Sequence, residues 1–146
     1  MLLLGDDIHS PSLSQLVVAR YLESGAYRDQ VERARGSYRH QYEQLVAAVD
    51  DELGSIATWV EPLGGGHLWV TLDVAIDERE LADEALRHGV AYAPGGAMRI
   101  ERSRDLSLRL SYGYLEPDQM REGVRRFAAA VDRVRSRTPR AEAVPV

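Results

Sequence analysis

The sequence predicts an α+β fold: a two-layer α/β sandwich with a small, mainly antiparallel sheet, preceded by two helices of which the second is long. Three observations predict it. Between residues 13 and 53 the apolar residues recur at steps of three and four. From Ile56 onward, short period-two stretches alternate with helical ones, in the overall order α-α-β-β-α-β-β-α. The length of 146 residues is enough for one domain to bury roughly 70% of its unfolded surface without disulfides.

Ser10-Pro11-Ser12 reads as a turn leading into a helix, with Ser12 or Ser14 available as the cap. Leu13, Leu16, Val17, Arg20 and Tyr21 follow at helical spacing, and Ser24-Gly25 ends the helix with Gly25 in the left-handed conformation. A second helix is expected over residues 27–53, with Val31, Ala34, Tyr38, Tyr42, Leu45, Val49 and Leu53 as its apolar stripe. At 1.5 Å per residue it is about 40 Å long, the length of a helix that bridges two structural units. Strands are expected at 58–60 and 67–72, separated by a turn at Pro62 and Gly64-Gly65-Gly66. Asp77 caps the next helix, with Glu80 three residues on, and Gly89 ends it. A short strand over 90–93 closes on Pro94-Gly95-Gly96, and residues 98–105 form a polar hairpin or loop. Residues 106–112 alternate, with Leu106, Leu108, Leu110 and Tyr112 on one face and Ser107, Arg109 and Ser111 on the other. Pro117 opens a last helix whose apolar face is Met120, Val124, Phe127, Ala128, Val131 and Val134. The chain divides into an N-terminal extension (1–11), a helical linker region (12–55), a small domain (56–135) and a disordered tail (136–146).

Composition removes several classes of chemistry. All 18 basic residues are arginine, so no lysine is present for a Schiff base, a phosphate-binding P-loop or a lysine general base. No cysteine is present for thiol catalysis or thiolate metal sites, and the four histidines are scattered. The net charge of −5 argues against direct nucleic-acid binding. The apolar start Met1-Leu2-Leu3-Leu4 is too short to span a membrane and lacks a signal-peptide pattern, so the expectation is a cytoplasmic protein without a membrane partner. The Gly64-Gly65-Gly66 run precedes a strand rather than a helix, which makes it a hairpin turn and not a phosphate cradle.

Arg109 is the leading candidate for a binding role. It lies mid-strand between Leu108 and Leu110, flanked in the alternation by small serines. A guanidinium held by a strand suits bidentate capture of a carboxylate; a solvent-facing arginine or a structural ion pair is the alternative.

Four segments in register carry a family resemblance: SLSQLVVARYLESGAYRDQVERARGSYRHQYEQL, EPLGGGHLWVTL, ALRHGVAYAPGG and LSLRLSYGYLEPDQMREGVRRFAAAV. Together they resemble the C-terminal part of fold type I PLP-dependent aminotransferases, above all the aminotransferase-like domain of MocR regulators of the GntR family. The resemblance covers residues 12–134. It implies that residues 27–53 are the helix linking a large cofactor domain to a small one, and that 56–134 are the small domain. It implies that Arg109 binds the α-carboxylate of an amino-acid or keto-acid substrate. It also implies that Tyr92, Pro94 and Gly95, in the segment ending in Pro-Gly, border the active site.

In that family the lysine that holds PLP lies upstream of the part matched here, as do the cofactor's phosphate, ring-nitrogen and stacking contacts. The resemblance therefore implies PLP in the parent family and no cofactor for this chain alone. The expected role is carboxylate binding and active-site closure in an aminotransferase or a MocR-type regulator, truncated or split from its large domain and inactive alone. Its partner is that large domain or a second copy. The alternative is a stand-alone homodimerising or protein-interaction module. The loop after Pro94-Gly95 departs from the family, which carries a Phe-containing stretch where this chain has GGAMRIERSRD.

Overall fold

The computed structural model describes residues 11–100 and 105–137. The expected N-terminal extension before Pro11, residues 101–104 of the polar loop, and the tail beyond Arg137 lie outside the described residues. Internal contacts divide the chain into two units, between Ser37 and Tyr38.

The first unit holds helix α1 (Ser12–Glu23) and the start of helix α2 (Ala26–Leu53). The turn between them is locally specified. Gly25 sits at φ +79, Ser24 Oγ donates to the Tyr21 carbonyl at 2.8 Å, and the Tyr21 and Tyr27 rings meet edge to face at 6.2 Å. The start of α1 differs from expectation. Pro11 occupies the N-cap and no side chain caps the helix. The Gln15 amide reaches the Pro11 carbonyl at 3.2 Å, so the ladder begins one residue early and draws Ser12 into the first turn. None of α1's residues is buried.

The second unit holds the rest of α2, strands β1 (Ala57–Trp59) and β2 (His67–Leu72), helix α3 (Glu78–Arg87), strand β3 (Ala93–Pro94), a 3-10 turn (Gly95–Met98), strand β4 (Leu106–Ser111) and helix α4 (Pro117–Arg137). The sheet order is β1-β2-β4-β3 with every pair antiparallel. The expected fold class is the observed one. Register places Leu68, Val70 and Leu72 of β2 beside Leu110, Leu108 and Leu106 of β4. These leucines and Val70 share one cluster with Leu45, Val49 and Leu53 of α2, Leu81 and Ala85 of α3, and the predicted α4 stripe. Antiparallel sheets commonly cover one face and leave the other open, and this sheet does so.

Tyr42 and Tyr38 of α2 meet the buried Tyr112 ring at 5.9 and 6.4 Å, and the Tyr112 hydroxyl donates to the Gly65 carbonyl at 2.8 Å. The tyrosines of the long helix therefore pack against the end of the sheet. Asp77 caps α3 as expected, accepting from the Arg79 and Glu80 amides at 3.0 and 2.9 Å.

Two boundaries move. The strand expected over 90–93 pairs only at Ala93 and Pro94, because the Val90 amide is spent closing α3, on the Ala85 carbonyl at 2.9 Å. The last helix runs through Arg137, into the segment assigned to the tail. Its final turn is held by Ser136 Oγ on the Arg133 carbonyl at 2.8 Å and by Arg137 on the buried Glu84 of α3 at 2.9 Å. Glu84 is also paired with Arg87 at 2.6 Å and lies 3.4 Å from His88. Burial alone would raise the Glu84 carboxyl, but the Arg87 and Arg137 guanidinium groups outweigh it and hold the group below its ordinary range.

Candidate functional site

The open face of the sheet is set by the same alternation that builds the core. Ser107, Arg109 and Ser111 point away from the leucine face of β4, opposite Thr71, Trp69 and His67 of β2. Arg109 is exposed and has no ion pair or hydrogen bond among the described residues. Its backbone is fixed from both sides, with Trp69 opposite on β2 and Ala93 opposite on β3. A guanidinium with all its donors free, carried on a strand paired from both sides, is available to a planar anion.

The Pro94-Gly95 segment is bound to this strand. Pro94 sits opposite Leu108. Gly95 is buried against Ser107: an added Cβ would collide with Ser107 Oγ and lie 2.7 Å from the Ser107 carbonyl oxygen. Only glycine admits that approach. The next amide, of Gly96, donates to Glu78 Oε1 at 2.9 Å, tying the turn to the first turn of α3. The turn then delivers Arg99 back over the sheet. Arg99 Nη2 donates to Ser107 Oγ at 2.9 Å, its guanidinium carbon lies 5.7 Å from the centre of the Trp69 ring, and Asp105 stands 3.8 Å away.

Of the residues singled out in the sequence, Arg109, Pro94 and Gly95 are thus gathered around β4. The Tyr92 ring makes an edge-to-face contact with Phe127 of α4 at 5.1 Å and lines the same cleft as Arg109. Its hydroxyl oxygen is buried without a hydrogen-bond partner among the described residues. Burial, reinforced by the Glu78 charge, pushes the phenol up to about 12. A cleft of about 360 Å³ adjoins this region, lined by Leu45, Tyr92, Leu115, Val124 and Phe127, with Arg109 also in its lining. No cluster of metal-ligating side chains occurs among the described residues, and none of their helices is long and apolar enough to cross a membrane.

Arg99, Ser107 and Trp69 were not singled out as a group in the sequence. The period-two pattern places Ser107 and Trp69 on the correct face, but nothing local tells that Arg99 returns over them. That return depends on the contacts of Gly95 and Gly96 with residues distant in sequence.

No protein-family model matches the chain. The 2-aminoadipate transaminase of Thermus thermophilus is 33% identical over 127 residues, 87% of this chain and 32% of that protein. The HTH-type transcriptional regulator YdfD of Bacillus subtilis is 30% identical over 131 residues, 90% of this chain and 27% of that protein. Among solved structures, the alpha-aminoadipate aminotransferase LysN from T. thermophilus superposes with a TM-score of 0.78 at 31% identity, over 92% of this chain and 34% of that one. The chain therefore spans about a third of the length of the relatives it matches.

Proposed function

This chain is homologous to part of the PLP-dependent fold type I aminotransferases and of MocR/GntR-type regulators, and from that premise we propose that it grips the carboxylate of an amino or keto acid through Arg109. In a larger assembly it closes over the active site of an aminotransferase, or over the equivalent sensing site of a regulator. The observation that carries the reading is the unpartnered Arg109 guanidinium, mid-strand on the open face, in a chain with this ancestry.

The chemistry of the binding step follows from the residues present. A carboxylate accepts two parallel N–H bonds from the guanidinium fork, and the rigid strand spares it the cost of ordering a loop. Pro94 and Gly95 form the neighbouring wall.

PLP does not fit the donor set of this chain. The cofactor is held through an imine to a primary amine, and the 146 residues contain no lysine side chain to form one. The open face offers the guanidinium groups of Arg109 and Arg99, which can bind anions but cannot carry that bond. The amine, and with it the amino-group transfer, belongs to another polypeptide segment.

Calorimetric titration of the protein with amino acids and keto acids tests the reading. Binding in the millimolar range or tighter, abolished in Arg109→Ala, is the expected result; equal heats in both proteins would refute it.

One observation favours a second reading, an interaction module. α1 leaves Leu13, Leu16 and Val17 exposed at 75%, 58% and 60%, an apolar row suited to a partner chain. Sedimentation at increasing concentration separates the two: a clean monomer throughout removes self-association through that row.

A further inference from the structure

On one side the Arg109 strand is braced by a very short element. β3 contributes two residues, Ala93 opposite Arg109 and Pro94 opposite Leu108, and proline brings no N–H to a ladder. A pairing that short frays unless something beyond the ladder holds it. The holding contact comes from α3. The Gly96 amide, three residues past Ala93, donates to Glu78 Oε1 at 2.9 Å. On its other flank the turn lies on β4, with Gly95 against the Ser107 backbone. The turn is thus clamped between a carboxylate and a strand.

Glu78 is committed to this contact. Its side chain is half-buried and makes no ion pair or second hydrogen bond among the described residues. It stands in the first turn of α3, next to the Asp77 cap, where the helix dipole favours a negative charge. A carboxylate that accepts a backbone N–H makes a bond about twice as strong as a neutral acceptor does. Gly96 is fitted to it. Its φ is not positive, so the missing side chain answers to space and not to backbone conformation: a Cβ there would collide with Glu78 Oε2.

We propose that Glu78 is a positioning residue for the carboxylate grip: by holding the Gly95–Met98 turn down on β4, it keeps β3 paired to Arg109 and the guanidinium in place for its ligand. This rests on the carboxylate-binding reading of Arg109 and adds the residue that steadies it. Glu78 touches no ligand, and as an anion it would by charge alone disfavour one. The sign of its effect therefore separates position from charge.

The test uses the full chain, isotope-labelled, with acetate as the probe, the Arg109 Nε–Hε resonance as the readout and chloride as the control. Glu78→Ala is expected to weaken acetate binding roughly fivefold, the worth of about one backbone hydrogen bond. Glu78→Gln, whose amide oxygen still accepts from Gly96, is expected to stay within about twofold of the parent. Gly96→Ala displaces the carboxylate from the other side and is expected to match Glu78→Ala. The double variant Glu78→Ala/Gly96→Ala is expected to bind no more weakly than either single one, as two halves of one contact require. Amide spectra report folding, and Gly96→Ala, at an exposed residue, carries the test if Glu78→Ala does not fold. Unchanged acetate affinity in folded Glu78→Ala or Gly96→Ala, a Glu78→Gln as weak as Glu78→Ala, stronger binding in both Glu78 variants, or losses that multiply in the double variant would each overturn the proposal and leave Arg109's role intact. No saturable acetate shift in the parent would overturn the Arg109 reading, and this proposal with it.

Discussion

The two faces of β4 are built from alternate residues of one six-residue strand, yet they do different things. Leu106 and Leu108 are buried in the helix-covered cluster, while Arg109, one step along, is exposed and unpartnered. Ser107 is buried as well, but by the Gly95 turn rather than by helices. One face therefore supplies stability, through apolar area removed from water. The other stores little energy and presents polar groups at fixed spacing. A strand is well suited to this division, because a backbone pinned by the first face cannot shift when the second takes a ligand.

The sharpest way to separate the faces is to substitute on each and measure stability. Leu108→Ala, in the buried cluster, is expected to lower the unfolding free energy by about 2–5 kcal/mol in a denaturant titration. Glu84 lies at the α3–α4 end of the same layer, and its effect is smaller and pH-dependent. Its carboxyl is held below its unfolded value, so its contribution is present above the ordinary carboxylate range and lost as pH falls through the folded value. Glu84→Gln is expected to lower the neutral-pH midpoint and to flatten the acid limb of the stability profile. A profile parallel to that of the parent would show that the pairs with Arg87 and Arg137 contribute nothing.

Tyr92 marks the border of the core. Its phenol is pushed up to about 12, so the folded chain keeps a proton that the unfolded chain releases near 10, and stability falls between those two values as pH rises. Tyr92→Phe removes the unpartnered hydroxyl, with an expected gain of about 1 kcal/mol at neutral pH and a weaker alkaline loss in thermal unfolding. The smallest change belongs to the open face: Arg109→Ala is expected to stay within about 0.5 kcal/mol of the parent. A drop comparable to that of Leu108→Ala would erase the contrast between the faces.

Most of the fold was legible because periodicity reports burial directly. The leucines of 106–110 and the stripe from Met120 to Val134 reached the core as their spacing demanded. The misplaced boundaries were decided by partners that no local pattern names. Val90 closes a helix instead of opening a strand, and Arg137 finds Glu84 across 53 residues of sequence. The site divides in the same way. The exposure of Arg109 and its serine-flanked face followed from alternation and are observed. The joining of Gly95 to Ser107 and of Arg99 to Trp69 depends on a close backbone approach between distant segments, which sequence spacing does not encode.

The proposed carboxylate binding by Arg109 is read directly by its side-chain Nε–Hε resonance. Titration of the labelled protein with acetate should shift that resonance saturably. A concentration-matched chloride control should leave it in place, and the signal should be missing from Arg109→Ala. A resonance that stays put under acetate, or moves equally under chloride, would contradict the account.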